Sequence, residues 1–205
     1  MAQISAQTVK ELRERTSAGM MDCKKALEAC GCDMDKAISW LREKGLSKAA
    51  KKSGRATSEG IIGSYVHAGG KIAVLVEIKC ETDFVARSDK FQEFAKNVAM
   101  QIAAATPVCL KSEDLPAALL ANEKEIYLAQ TKAEGKPANI AEKIVEGRIK
   151  KFYKEVCLLE QPFIKDDKLS IQDLLNDLIA TLGENIQISR FVRMQLGEDA
   201  GEEKE

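Results

Sequence analysis

One junction limits what this chain can fold into. Before it, Ile72, Val74, Val76 and Ile78 alternate with Lys71, Ala73, Leu75, Glu77 and Lys79. That period of two predicts a strand with one well-buried face. After it, Phe91, Phe94, Ala95, Val98, Ile102 and Ala105 recur at helical spacing. Between strand and helix lies Cys80-Glu81-Thr82-Asp83-Phe84-Val85-Ala86-Arg87-Ser88-Asp89. Ser88 is placed to cap the helix, with Asp89 in its positive first turn. A strand end and a helix start thus hold a short loop that presents Asp83 and Phe84. Phe84 fits neither period. Such a side chain either plugs its own core or docks into a partner, and periodicity alone favours the plug.

The rest of the chain supplies elements for this junction to sit among. Ser5 caps a first helix, with Ile4 and Val9 as a hydrophobic staple. Cys23, Ala26, Leu27 and Cys30 form the inner stripe of a second helix, reached through a turn at Thr16-Ser17-Ala18-Gly19 and stopped by Gly31. Asp33 caps a third, with Met34, Ala37, Ile38 and Leu41 inside and Gly45 as its end. Residues 1–47 therefore read as a small three-helix bundle like the ubiquitin-associated fold. Residues 48–59, with Lys48, Lys51, Lys52 and Arg55, read as a basic linker, flexible or partly helical.

A core over residues 60–197 begins with a strand at Gly60–His67, turned by Ala68-Gly69-Gly70 into Lys71–Cys80. Ile186–Met194 supplies a third strand. A helical hairpin over about 115–155 breaks at Gly135-Lys136-Pro137. Gln161-Pro162-Phe163 is extended, and Ser170 caps a helix closed by Gly183. The fold class is α+β: the bundle, then a three-stranded antiparallel sheet packed by helices. Residues 198–205 are an acidic tail.

Composition excludes several functions. With 31% charged residues and a net charge of -1, no global field points to nucleic acid or membrane. The basic run lacks interleaved aromatics for stacking bases. No apolar run spans a membrane and the N-terminus lacks a signal-peptide core, so the expected compartment is the cytoplasm. Six cysteines in that compartment are expected to be reduced thiols, without a metal. The only histidine, His67, has no nucleophile placed beside it. Gly60-Ile61-Ile62-Gly63 and Gly69-Gly70 lack phosphate-loop spacing. Neither covalent catalysis nor a cofactor is expected. A rigid loop displaying an acid and an aromatic suits a binding effector.

Thr82-Asp83-Phe84-Val85-Ala86-Arg87 resembles the signature loop of the translation elongation factor Ts family. Val9-Lys10-Glu11-Leu12-Arg13-Glu14-Arg15-Thr16 and Ala18-Gly19-Met20-Met21-Asp22-Cys23-Lys24-Lys25-Ala26-Leu27 resemble its other signature. The resemblance covers nearly the whole chain and suits the short bacterial form, with one core and no duplication. It implies guanine-nucleotide exchange on elongation factor Tu. The effector would bind the GDP form, disturb the partner's Mg²⁺ and phosphate site, and promote GDP release and GTP reloading. It implies that Thr82, Asp83, Phe84 and Val85 form the loop that dislocates Mg²⁺, with Phe84 as wedge and Asp83 as anchor. It implies partner contacts from Lys10, Arg13, Met20, Met21, Lys24 and Cys80. Short-form relatives imply a homodimer through the core, giving a 2:2 complex. Two other readings stand beside it: a helical adaptor using the bundle, and a thiol oxidoreductase using Cys30 or Cys32, which lack Cys-x-x-Cys spacing.

Overall fold

The computed structural model describes residues 4–16, 18–134 and 137–198. Ser17 of the first turn, Gly135 and Lys136 of the hairpin break, and the acidic tail from 199 onward lie outside the described residues. Packing divides the chain into two compact units. One comprises Met1–Ile61, Glu77–Phe94 and Asp173–Ser189; the other comprises Ile62–Val76, Ala95–Gln172 and Arg190–Glu205.

The first unit opens with α1 (Ala6–Thr16), α2 (Met20–Ala29) and α3 (Met34–Lys52). Ser5 Oγ accepts from Thr8 N–H and Asp33 Oδ1 from Lys36 N–H, so both caps are made as the sequence predicts. Val9, Leu12, Cys23, Ala26, Leu27 and Ala37 form one buried cluster, with Ile4, Met34, Ile38, Trp40 and Leu41 packed against it. Fully burying a side chain such as Leu27 is worth ~1.5–3 kcal/mol. That is why three short helices hold together.

α3 does not stop at Gly45. It continues to Lys52, so the first half of the expected linker is helix. Gly45 is buried, and a Cβ built there would meet Ala180 Cβ at 3.6 Å. That is an ordinary van der Waals distance to α8 (Ile171–Leu182), so a methyl group would fit there, and Gly45 is simply an interior residue of α3. Lys48 pairs with Asp22 at 2.7 Å, and Lys52 Nζ donates to the Ile179 carbonyl. Lys51 and Lys52 complement the negative end of the helix dipole.

β1 (Glu59–Val66), β2 (Ile72–Cys80) and β5 (Ile186–Gln195) form a sheet in the order β1-β2-β5. Val74, Val76, Ile78 and Cys80 are buried and Leu75 is exposed, as the alternation requires. After β2 come α4 (Asp83–Ala86) and α5 (Asp89–Ala105).

In the second unit, α6 (Ala117–Ala133) and α7 (Ala138–Val156) form the expected hairpin, with Arg148 bonding Gln130 and Glu134. A second small sheet, β3 (Pro162–Phe163) with β4 (Asp166–Ser170), was not legible from alternation. Buried amides fix it to α5. Gln101 Nε2 donates to Gln161 Oε1 and the Pro162 carbonyl, and Gln101 Oε1 accepts from Ile164 N–H. Gln161 Nε2 donates to the Glu155 carbonyl at 2.8 Å. Each buried amide is thereby satisfied, as low-dielectric surroundings demand.

Candidate functional site

The junction between β2 and α5 is a single helical turn, α4. Thr82 is its N-cap, extended at φ -130° and ψ 154°, and Thr82 Oγ1 accepts from Val85 N–H at 3.4 Å. Successive residues of a helix point about 100° apart. Val85 and Ala86 turn inward and are buried, while Asp83 and Phe84 turn outward. Phe84 is 83% exposed. The core-plug alternative is therefore excluded: the ring stands in solvent on a rigid turn.

Ser88 does not act as the expected side-chain cap of α5. Its Oγ donates to the Val85 carbonyl at 2.8 Å, closing α4 instead. Gln92 Nε2 donates to the Ala86 carbonyl at 2.6 Å. Cys80 is fully buried, and its thiol donates to the Thr82 carbonyl at 3.1 Å. Burial and, less strongly, the Glu184 charge raise its pKa. Cys80 and Val85 therefore support the turn from within rather than offering surface. Asp83 is open to solvent and pairs with Arg87 at 3.0 Å. At that exposure such a pair is worth little.

A brace from far along the chain completes the turn, and no local sequence signal announced it. Glu184 Oε2 accepts from Glu81 N–H at 3.1 Å and from Thr82 N–H at 3.0 Å. Its Oε1 accepts from the Thr82 hydroxyl at 2.7 Å. In return, Asn185 N–H donates to Glu81 Oε1 at 2.6 Å, and Arg55 reaches the same oxygen at 3.4 Å. The Asn185 side-chain amide donates to the Ser53 and Arg55 carbonyls.

The bond from Asn185 N–H, helped by Arg55, holds the Glu81 carboxyl below its ordinary pKa of 4.5. A depressed folded-state pKa favours folding above the unfolded value, and this contribution is lost as pH falls through the folded one. The expected result is an acid decline in stability that sets in below about 4.5, part of which disappears in Glu81→Gln. Melting profiles of both proteins across that range check it. An unchanged acid limb in Glu81→Gln would remove Glu81 from the brace.

The other predicted residues lie on different elements of the same unit. Lys10 and Arg13 are exposed on α1; Met20, Met21 and Lys24 are exposed on α2. Neither methionine is used by the bundle core. Lys10 pairs with Glu14 and Lys24 with Glu28, both in the open, where ion pairs bind their cations loosely. Of these, the exposed groups of α1 are cationic, and those of α2 are apolar and cationic.

Cys109 and Cys157 lie 3.6 Å apart at sulfur, yet burial pushes the Cys157 thiol up to about 12 and raises Cys109 too. Both shifts favour the thiol over the thiolate, which is the reactive form. No helix among the described residues is long and apolar enough to cross a membrane.

Comparison with known proteins gives a consistent result. A family model described as "Elongation factor TS" matches residues 2–198. The chain is 68% identical over 200 residues to "Elongation factor Ts" of Solidesulfovibrio magneticus, covering 98% of this chain and 100% of that protein. It is 70% identical over 194 residues to "Elongation factor Ts" of Nitratidesulfovibrio vulgaris, covering 95% and 97%. The protein of the same name from Carboxydothermus hydrogenoformans is 59% identical over 202 residues, covering 98% and 93%.

Proposed function

Since the chain belongs to the elongation factor Ts family and is thus a translation elongation factor, we propose that it exchanges guanine nucleotide on elongation factor Tu, in the cytoplasm and without covalent chemistry. The observation that carries this reading is Phe84, 83% exposed on a turn held by hydrogen bonds on both sides. A GTPase keeps GDP through backbone amides around the phosphates and through Mg²⁺, contacts that must break together. An effector speeds release by binding the nucleotide-free conformation more tightly than the loaded one. Phe84 supplies that difference. Its ring gains cover only where elements of the partner move apart, and that displacement weakens the support of Mg²⁺. Asp83 anchors the turn by polar contact. Thr82 and Val85 shape it from beneath, and Cys80 locks its start. The exposed surface of Lys10, Arg13, Met20, Met21 and Lys24 docks the partner whether or not nucleotide has left. The test is release of labelled GDP from elongation factor Tu: adding the chain should accelerate it, and an unchanged rate would overturn the proposal.

The homodimer has its own support in the second unit. His67 N–H bonds the Ile72 carbonyl and Leu196 N–H bonds the Lys71 carbonyl. Antiparallel register from these bonds puts Val66, Ala73 and Met194 in one cross-strand row. Strand alternation continues that face through Ile62, Leu75 and Val192. Val66, Met194, Ile62, Leu75 and Val192 are all exposed. An apolar sheet face of this kind suits a second copy of itself. Light scattering at micromolar concentration should give about twice the 22.5 kDa chain mass. A monomer would remove the dimer without touching exchange.

A further inference from the structure

We infer that Glu184 is a positioning residue for exchange, fixing the corner at Thr82 so that Phe84 meets the partner in one orientation; this rests on the exchange role proposed for the turn. Thr82 is where extended backbone becomes helix, so a small rotation there swings the exposed ring. The Glu184 carboxylate accepts from the amides of Glu81 and Thr82 and from the Thr82 hydroxyl, using both oxygens. That hydroxyl oxygen in turn accepts from Val85 N–H, which carries the constraint into α4. Bonds to an ionised acceptor are the stronger kind.

Glu184 is itself held. Gly183, at φ +83°, ends α8 with its N–H on the Ile179 carbonyl. Asn185 on the other side is tied to Glu81, Ser53 and Arg55. The brace is thus reciprocal, between two segments 103 residues apart in sequence. Glu184 is half-buried beneath the turn, whereas Phe84 is the group that projects. Without the carboxylate, the corner must be ordered at the moment of docking, and ordering subtracts from the binding free energy available to displace nucleotide.

The test is labelled-GDP release from elongation factor Tu across a range of chain concentrations, which separates the half-saturating concentration from the maximum rate. Glu184→Ala should lower the maximum rate about tenfold, equivalent to ~1.4 kcal/mol. Its half-saturating concentration should stay within about twofold, because α1 and α2 dock independently of the turn. Glu184→Gln should keep most of the rate: its oxygen can take the two amides while its NH₂ group donates to Thr82 Oγ1. In Phe84→Ala, adding Glu184→Ala should slow release no further. Amide exchange at Thr82 and Val85 should quicken in Glu184→Ala. Should that variant fail to fold, Glu184→Asp reads the same point, since it keeps the charge and shortens the reach. A full maximum rate in Glu184→Ala beside a slow Phe84→Ala would overturn the inference and leave the exchange role standing. Multiplying losses in the double variant would also overturn it. A normal rate in Phe84→Ala would instead overturn the reading of the turn, and the inference with it.

Discussion

Phe84→Ala should leave stability within ~0.5 kcal/mol of the unaltered chain and slow GDP release from elongation factor Tu about thirtyfold. The first half follows from exposure: a ring 83% open to solvent gives up almost no burial when it is removed. Asp83, its neighbour on the outer side, keeps its pair with Arg87, and Val85 and Ala86 stay buried beneath. The second half follows from what an aromatic anchor contributes when it enters a partner, ~2 kcal/mol or more for a central residue. That difference converts to about thirtyfold. Asp83→Ala should act in the same direction but more weakly, since a solvent-exposed polar contact carries less. Denaturant unfolding and GDP release measured on one Phe84→Ala preparation decide the matter. A loss of ~3–5 kcal/mol, the range for a buried Phe, with normal release from the folded fraction would sink the wedge.

Gly60→Ala should be the reverse case, a large loss of stability from a clash within the chain's own backbone. Gly60 has φ +148°, in the range that favours glycine. A Cβ there would fall 2.1 Å from the Ile78 carbonyl oxygen and 2.8 Å from Lys79 Cα. Both are backbone atoms of β2 that cannot swing aside, so strand β1 must move off or change its dihedral angles. Strain of ~1–3 kcal/mol adds to overpacking of similar size. A loss of ~3 kcal/mol or more is expected in denaturant unfolding. Gly54→Ala is the control: its Cβ would meet nothing within 4 Å and its φ lies outside the left-handed range. Equal stability of the Gly60 and Gly54 variants would contradict the close approach of Gly60 to the end of β2.

What was legible in the sequence was whatever is written at short range. Alternation from Ile72 to Ile78 gave the buried face of β2, and helical spacing from Phe91 gave α5. Ser5, Asp33 and Gly183 marked helix ends because each acts on its own neighbours. Gly45 misled for a physical reason. A glycine late in a helical pattern usually ends it by taking a positive φ, but Gly45 is not among the positive-φ glycines, and α3 runs on to Lys52. Asp166, Asp167 and Lys168 carry no apolar alternation, so β4 was hidden; backbone pairing with β3 makes it a strand. Phe84 belonged to neither period; periodicity alone favoured a core plug and the family resemblance a wedge, and its exposure excludes the plug. The Glu184 brace was beyond reach, because its partners lie over a hundred residues away and nothing in Gly183-Glu184-Asn185 names them.

Linkage offers the most direct measurement of how this chain would act. Exchange by differential binding requires that GDP weaken the chain's hold on elongation factor Tu by the same factor that the chain weakens the hold on GDP. The affinity of the chain for elongation factor Tu can be measured by titration calorimetry, without nucleotide and again with saturating GDP and Mg²⁺. The expected result is a much weaker complex in GDP, with most of that difference absent in Phe84→Ala. Equal affinities under the two conditions would contradict differential binding, whatever the chain does to the rate of release.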